Sequence, residues 1–186
     1  MADGATGGLI MASLLTVPGA LNFFKGGGVV YSFKARNVLF DLPREAYEGM
    51  TSATEEYALL QARGIRDRMN PTWGIAESGS AGASKHPLGV HSGRCVAAVV
   101  GPDIERVAVI ETQSDDRIAN MERFTRTALD LLEATLGEAG CAIPFQKNHK
   151  KFAPLSNPSC GLRLGVSASP QTVRPSTETE QCNTCC

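Results

Sequence analysis

Three short segments carry the residue types that do chemistry. The first, Ala2-Asp3-Gly4-Ala5-Thr6-Gly7-Gly8, stands directly ahead of the apolar run 9–17. It gathers several backbone N–H groups and one hydroxyl at a helix start, where the partial positive charge of the helix end suits a phosphate or an oxyanion. The same glycines also serve an ordinary tight turn. The second is Gly26-Gly27-Gly28-Val29-Val30-Tyr31-Ser32, followed by Lys34 and Arg36. A tyrosine at a strand end, with cations just inside the next helix, could act as a base or an oxyanion donor, or could simply cover the sheet end beside two solvated charges. The third is Glu77-Ser78-Gly79-Ser80-Ala81-Gly82, with Lys85-His86-Pro87-Leu88-Gly89 after it. Ligands of open α/β sheets sit outside the carboxyl ends of strands, so a small-residue loop there is fit to be a substrate wall. His86 and His91 lack His or Cys partners at ligand spacing, so no metal site is expected and both read as solvated loop residues.

These segments need elements to hold them. Residues 9–15 are apolar on nearly all sides except Ser13 and end at Pro18-Gly19, the pattern of a helix buried between layers. Val29, Val30 and Tyr31 are of strand type, and residues 34–41 read as a short helix. Ser52-Ala53-Thr54-Glu55 has the form of a capping box, and Ala58, Ala62, Ile65 and Met69 follow at helical spacing as far as Pro71. Residues 72–76 read as a strand entering the loop 78–93, while 95–100 and 104–112 are strand-like runs flanking Gly101-Pro102-Asp103, a hairpin signal. Residues 114–136 place Ile118, Met121, Thr125, Ala128, Leu132 and Leu136 on one helical face. The sum is an α/β fold, three layers α/β/α about a mixed, mostly parallel sheet.

With 186 residues, the chain fits one domain and some surplus. Composition changes near Gly137: residues 1–137 are patterned as a domain, whereas 138–186 are rich in Pro, Ser, Thr and Cys and read as a disordered tail. A net charge of −1 removes the simplest case for a nucleic-acid or polybasic membrane partner, and leaves small molecules or proteins. No apolar run reaches the ~18–20 residues of a membrane span. The apolar run 9–17 has no Lys or Arg ahead of it, so a secretory signal is a poor reading and the expected location is cytoplasmic. Cys95 alone of the 6 cysteines lies in the patterned part, which favours free thiols. Cys182, Cys185 and Cys186 form C-x-x-C-C, half a zinc site at most without a second cluster.

Taken in register, these segments resemble the C-terminal domain of the competence-damage-inducible CinA proteins, the nicotinamide-nucleotide amidase family, over about residues 2–136. ADGATGGLI stands against the family's A-E-S-C-T-G-G-x-[IL], and residues 17–24 against V-P-G-[AS]-S-x-x-F. Residues 27–36 stand against G-G-V-V-x-Y-S-N-x-x-K, 78–83 against T-G-x-A-G-P, and Asp115-Asp116-Arg117 against the G-D-R that opens the last helix. The GGGVVY and Arg117-Ile118-Ala119-Asn120-Met121 details look most like a divergent branch without the N-terminal pyrophosphatase domain.

The resemblance implies hydrolysis of the carboxamide of nicotinamide mononucleotide to nicotinic acid mononucleotide and ammonia, with no cofactor. It assigns that work to the Ser of the opening motif and the Tyr and Lys of the second. Tyr31 matches the Tyr, but Arg36 stands at the Lys position and Gly4 at the Ser position. Loss of such a nucleophile commonly costs on the order of 10⁴ to 10⁶ in rate, and arginine is a poor proton acceptor. The implied catalytic set is therefore Tyr31, Thr6 and Arg36, with Thr6 the hydroxyl left in the motif. The implied substrate wall is Gly4, Gly7, Gly8, Ser78, Gly79, Ala81, Gly82 and Arg117, of which the Gly7 and Gly8 amides and Arg117 are suited to a phosphate. Two readings stand at this point: an amidohydrolase, or a catalytically inactive nucleotide-binding or interaction module of the same fold. Family domains also begin with a helix and a strand that this sequence lacks ahead of the motif. That vacancy would be filled by residues upstream of a misplaced start or by a second copy of the chain.

Overall fold

The computed structural model describes residues 1–84, 86 and 89–141. The expectations for 142–186, including Cys182, Cys185 and Cys186, and those for Lys85, Pro87 and Leu88 lie outside the described residues.

Five strands form one sheet in the order β2-β1-β3-β4-β5. β1 (Ala2–Asp3) is the first strand, two residues long rather than missing, and it runs parallel to both β2 (Gly28–Val29) and β3 (Gly74–Ser80). β4 (Arg94–Val100) pairs antiparallel with β3 and with β5 (Glu105–Glu111). The sheet is mixed as expected, but parallel pairing makes up half of it rather than most. Gly101 N–H donates to Ile104 C=O at 2.8 Å, closing the β4–β5 hairpin, and β4 returns along β3 in the opposite direction.

β4 shows why there are three layers. Its side chains alternate: Val96, Ala98 and Val100 face one apolar cluster, while Ala97 and Val99 face another. All are fully buried, as expected for a strand covered on both faces. On the first face lie α2 (Phe33–Phe40) and α3 (Glu55–Met69), contributing Phe40, Tyr57, Ala58, Ala62 and Ile65. On the second lie α1 (Leu9–Leu15) and α4 (Arg117–Glu138), contributing Ile10, Leu14 and Ala128. α2 and α3 both stop at a residue in the left-handed region, Asp41 (φ 54°) and Asn70 (φ 52°), the residue types that tolerate it.

Three local readings change. Thr54, not Ser52, caps α3, its hydroxyl accepting from Tyr57 N–H at 3.4 Å; with Tyr57 in the third helical position it is a single cap rather than the expected box. Strand β3 continues through Ser78, Gly79 and Ser80, which the sequence placed in a loop; β4 pairs with every one of them. The buried face of α4 runs through Asn120, Phe124, Thr125, Ala128 and Thr135, whereas Ile118 is 70% exposed. Polar Asn120 and Thr135 hid that face from a purely apolar period.

Candidate functional site

The carboxyl ends of β1, β2 and β3 open into a cleft of about 420 Å³. Gly4 and Ala5 follow β1, Val30 to Phe33 follow β2, and Ser78 to Gly82 end β3, so the parallel half of the sheet supplies most of the wall. Arg117, at the first turn of α4, closes it near Gly82. Its guanidinium passes so close that a Cβ on Gly82 would stand 3.0 Å from Nε, so a side chain there would have to shift Arg117. Among the described residues no carboxylate pairs with Arg117, leaving a cation at the cleft wall. Thus Gly4, Tyr31, Ser78, Gly79, Ala81, Gly82 and Arg117 come together as the sequence implied. Tyr31 stands 72% exposed at the mouth beside the half-exposed Phe33.

Thr6, Gly7, Gly8 and Arg36 do not line the cleft. Thr6 is fully buried on the α1 side, with Oγ1 at 2.8 Å from both Asp3 Oδ1 and Glu77 Oε2. Three of the opening-loop amides are satisfied from inside the protein: Gly4 N–H (3.1 Å) and Thr6 N–H (2.9 Å) donate to Glu77 Oε2, and Gly7 N–H donates to Gly4 C=O (3.2 Å). A phosphate or oxyanion therefore finds the amides of residues 4 and 6 already occupied by a carboxyl group. A Cβ on Gly4 would stand 2.5 Å from the Glu77 carbonyl oxygen, so β3 itself forbids a serine here without backbone movement.

Glu77 and Asp3 are both buried, and burial raises both pKa values above the ordinary carboxylate range; hydrogen bonds from Thr6 lower each in part. The geometry agrees. One hydroxyl has one proton to give, so two 2.8 Å contacts to Thr6 Oγ1 require a carboxyl that also carries a proton. Cys95 donates its S–H to Glu77 Oε1 at 3.4 Å, and burial pushes its thiol pKa well up.

Arg36 is only 7% exposed and lies on the opposite face, its guanidinium 3.6 Å from the Tyr47 ring centroid and 5.1 Å from that of Phe33. Nη1 donates to Tyr57 Oη at 3.4 Å. Arg36 thus meets the cleft wall from behind, through the Phe33 ring and through its hydrogen bond to Tyr57, which lines the cleft together with Gln61. The sequence reading missed both residues. Their signal was a polar pair four positions apart on the buried face of α3 (residues 57 and 61), where an apolar period was expected. Ser52, also in the wall, holds Oγ 3.4 Å from His86 Nε2, and burial lowers the His86 pKa.

Fold and cleft define a three-layer α/β domain with a cleft at the carboxyl ends of its parallel strands. The model of the CinA C-terminal domain matches residues 1–136, and the chain belongs to that family. It is 34% identical to a CinA-like protein of Myxococcus xanthus over 122 residues, 63% of this chain and 28% of that one. It is 31% identical to a CinA-like protein of Fervidobacterium nodosum over 135 residues, 70% of this chain and 32% of that one. The chain thus spans about a third or less of these curated relatives. Among solved structures, a competence or damage-inducible protein from Enterobacter asburiae matches with a TM-score of 0.66 at 26% identity, covering 73% of this chain and 84% of that one. A CinA superfamily protein from Enterobacter cloacae matches with a TM-score of 0.66 at 24% identity over 73% and 79% of the two chains, a likeness of fold.

Proposed function

We propose that this domain binds a pyridine mononucleotide or a closely similar nucleotide in the cleft, without hydrolysing it through the family's catalytic positions. The carrying observation is that one cleft combines the exposed rings of Tyr31 and Phe33, fit to stack on a planar base, with the unpaired Arg117, fit to hold a phosphate. Against catalysis at those positions stand three facts. Gly4 has no hydroxyl, the Thr6 hydroxyl is buried between two carboxyl groups, and Arg36 is a permanent cation away from the cleft wall.

One observation favours the amidohydrolase reading instead. Ser52 and His86 have the types of a nucleophile and its base, and burial favours the neutral imidazole that base would need. Calorimetry with nicotinamide mononucleotide, run beside an ammonia-release assay, separates the two. Binding without ammonia release, weakened at least about tenfold by Arg117→Ala, is the expected result. Ammonia release abolished by Ser52→Ala would establish the hydrolase, and absence of binding would overturn the ligand assignment.

A further inference from the structure

Arg36 is a buried cation without an anion. It is more than nine-tenths buried, and among the described residues no carboxylate pairs with it. Of its five N–H donors, only one on Nη1 meets an acceptor, Tyr57 Oη at 3.4 Å, and Nε has no partner. The Tyr47 hydroxyl beside it is also buried and unpartnered, and burial raises its pKa. The faces of the Tyr47 and Phe33 rings offset part of the charge, but a ring face does not use the N–H groups. Buried charges in folded proteins are otherwise paired, so this arrangement points to a negative group that the described residues do not supply.

Tyr57 connects the cation to the cleft. Its oxygen accepts from Arg36, so its own O–H proton is left for another acceptor, and the residue lines the cleft together with Gln61 and Phe33. We propose that the cleft selects ligands carrying a carboxylate on the planar ring, in preference to the corresponding carboxamide. The carboxylate accepts from the Tyr57 hydroxyl and lies in the field of the Arg36 guanidinium behind it. This rests on the nucleotide-binding reading above and deepens it: the phosphate goes to Arg117 and a second negative charge goes to the Arg36–Tyr57 pair. The ligand class is then the acid, the product side of amide hydrolysis rather than its substrate side. A neutral amide would leave the guanidinium without a counter-charge, and at the effective dielectric of a partly buried site that difference is on the order of tenfold or more in affinity.

The test is calorimetry of the full chain with nicotinic acid mononucleotide and with nicotinamide mononucleotide at matched pH and salt. The acid is expected to bind about tenfold tighter or better, with the preference shrinking severalfold or more in Arg36→Met and in Tyr57→Phe. Equal affinities, or a preference for the amide, overturn the proposal without any variant being needed. If neither mononucleotide binds, the nucleotide reading falls, and benzoate against benzamide then decides the present proposal alone. Chemical-shift changes at residues 57 and 61 with benzoate and not with benzamide support it; the same response to both, or to neither, overturns it.

Discussion

Glu77→Gln should match the parent chain's stability at the lower end of the ordinary carboxylate range, exceed it increasingly as pH rises toward neutral, and so remove a pH dependence that the parent has. Glu77 is fully buried, receives N–H bonds from Gly4 and Thr6, and shares the Thr6 hydroxyl with Asp3. If Glu77 were ionised, neutralising it would weaken several charge-assisted bonds worth about 1.5–3 kcal/mol each. If it is protonated, glutamine reproduces it: its oxygen, in the place of Oε2, accepts from the two amides and the Thr6 hydroxyl, and its NH2, in the place of Oε1, faces Cys95 Sγ, for a cost of about 1 kcal/mol or less. The folded-state pKa is raised, so the folded chain keeps a proton that the unfolded chain releases. That stabilisation is complete below the ordinary carboxylate range and is lost as pH rises through the folded pKa, at up to about 1.4 kcal/mol per pH unit for one proton. The assay is urea unfolding of both proteins between about pH 5 and pH 8, read as the parent-minus-variant difference. Taking the difference cancels the Met1 amine, whose pKa burial lowers to about 6 and whose effect has the opposite sign. A variant destabilised by about 3 kcal/mol or more at neutral pH, with no change in slope, would refute the protonated carboxyl.

Gly4→Ser should destabilise the chain by about 1–3 kcal/mol in the same unfolding assay, because a Cβ there meets the Glu77 carbonyl at 2.5 Å; it should not create ammonia release. Asn120→Ala should cost about 3 kcal/mol, since Asn120 Nδ2 donates to Ala81 C=O (2.8 Å) and Ser114 C=O (2.7 Å) and both lose that donor. In native alkylation read by mass spectrometry, exposed Cys141 should label readily, whereas buried Cys95, whose pKa is pushed well up, should react only on unfolding.

The strands and helices were legible wherever one physical rule governed the pattern. Gly101-Pro102-Asp103 announced the β4–β5 hairpin, and the apolar run 9–15 gave α1 with the bounds the structure has. The cleft wall was legible in the segments at the carboxyl ends of β1 and β2 and around residues 78–82, although 78–80 are strand rather than loop. What escaped were contacts between residues distant in sequence. Nothing near Thr6 reveals that Glu77, 71 positions later, will occupy its amide, and nothing near Arg36 reveals that Tyr47 and Tyr57 will enclose it. The apolar-face rule failed on α4 because Asn120 is buried for its hydrogen bonds, not for its hydrophobicity. Tyr31 and Arg36 are close in sequence, yet the turn into α2 sends one to solvent and the other beneath the Tyr47 ring.

Strand β4 has a consequence outside the native state. Cys95-Val96-Ala97-Ala98-Val99-Val100 is a run of six residues with no charge, no proline and no glycine, all completely buried once β3 and β5 pair on either side. On a nascent or partly unfolded chain the same run is a self-associating segment, able to stack against identical copies. Arg94 ahead of it and Gly101-Pro102-Asp103 behind it are the residues that interrupt such stacking. Yield on refolding should therefore depend on chain concentration and on those flanking positions more than on the cleft.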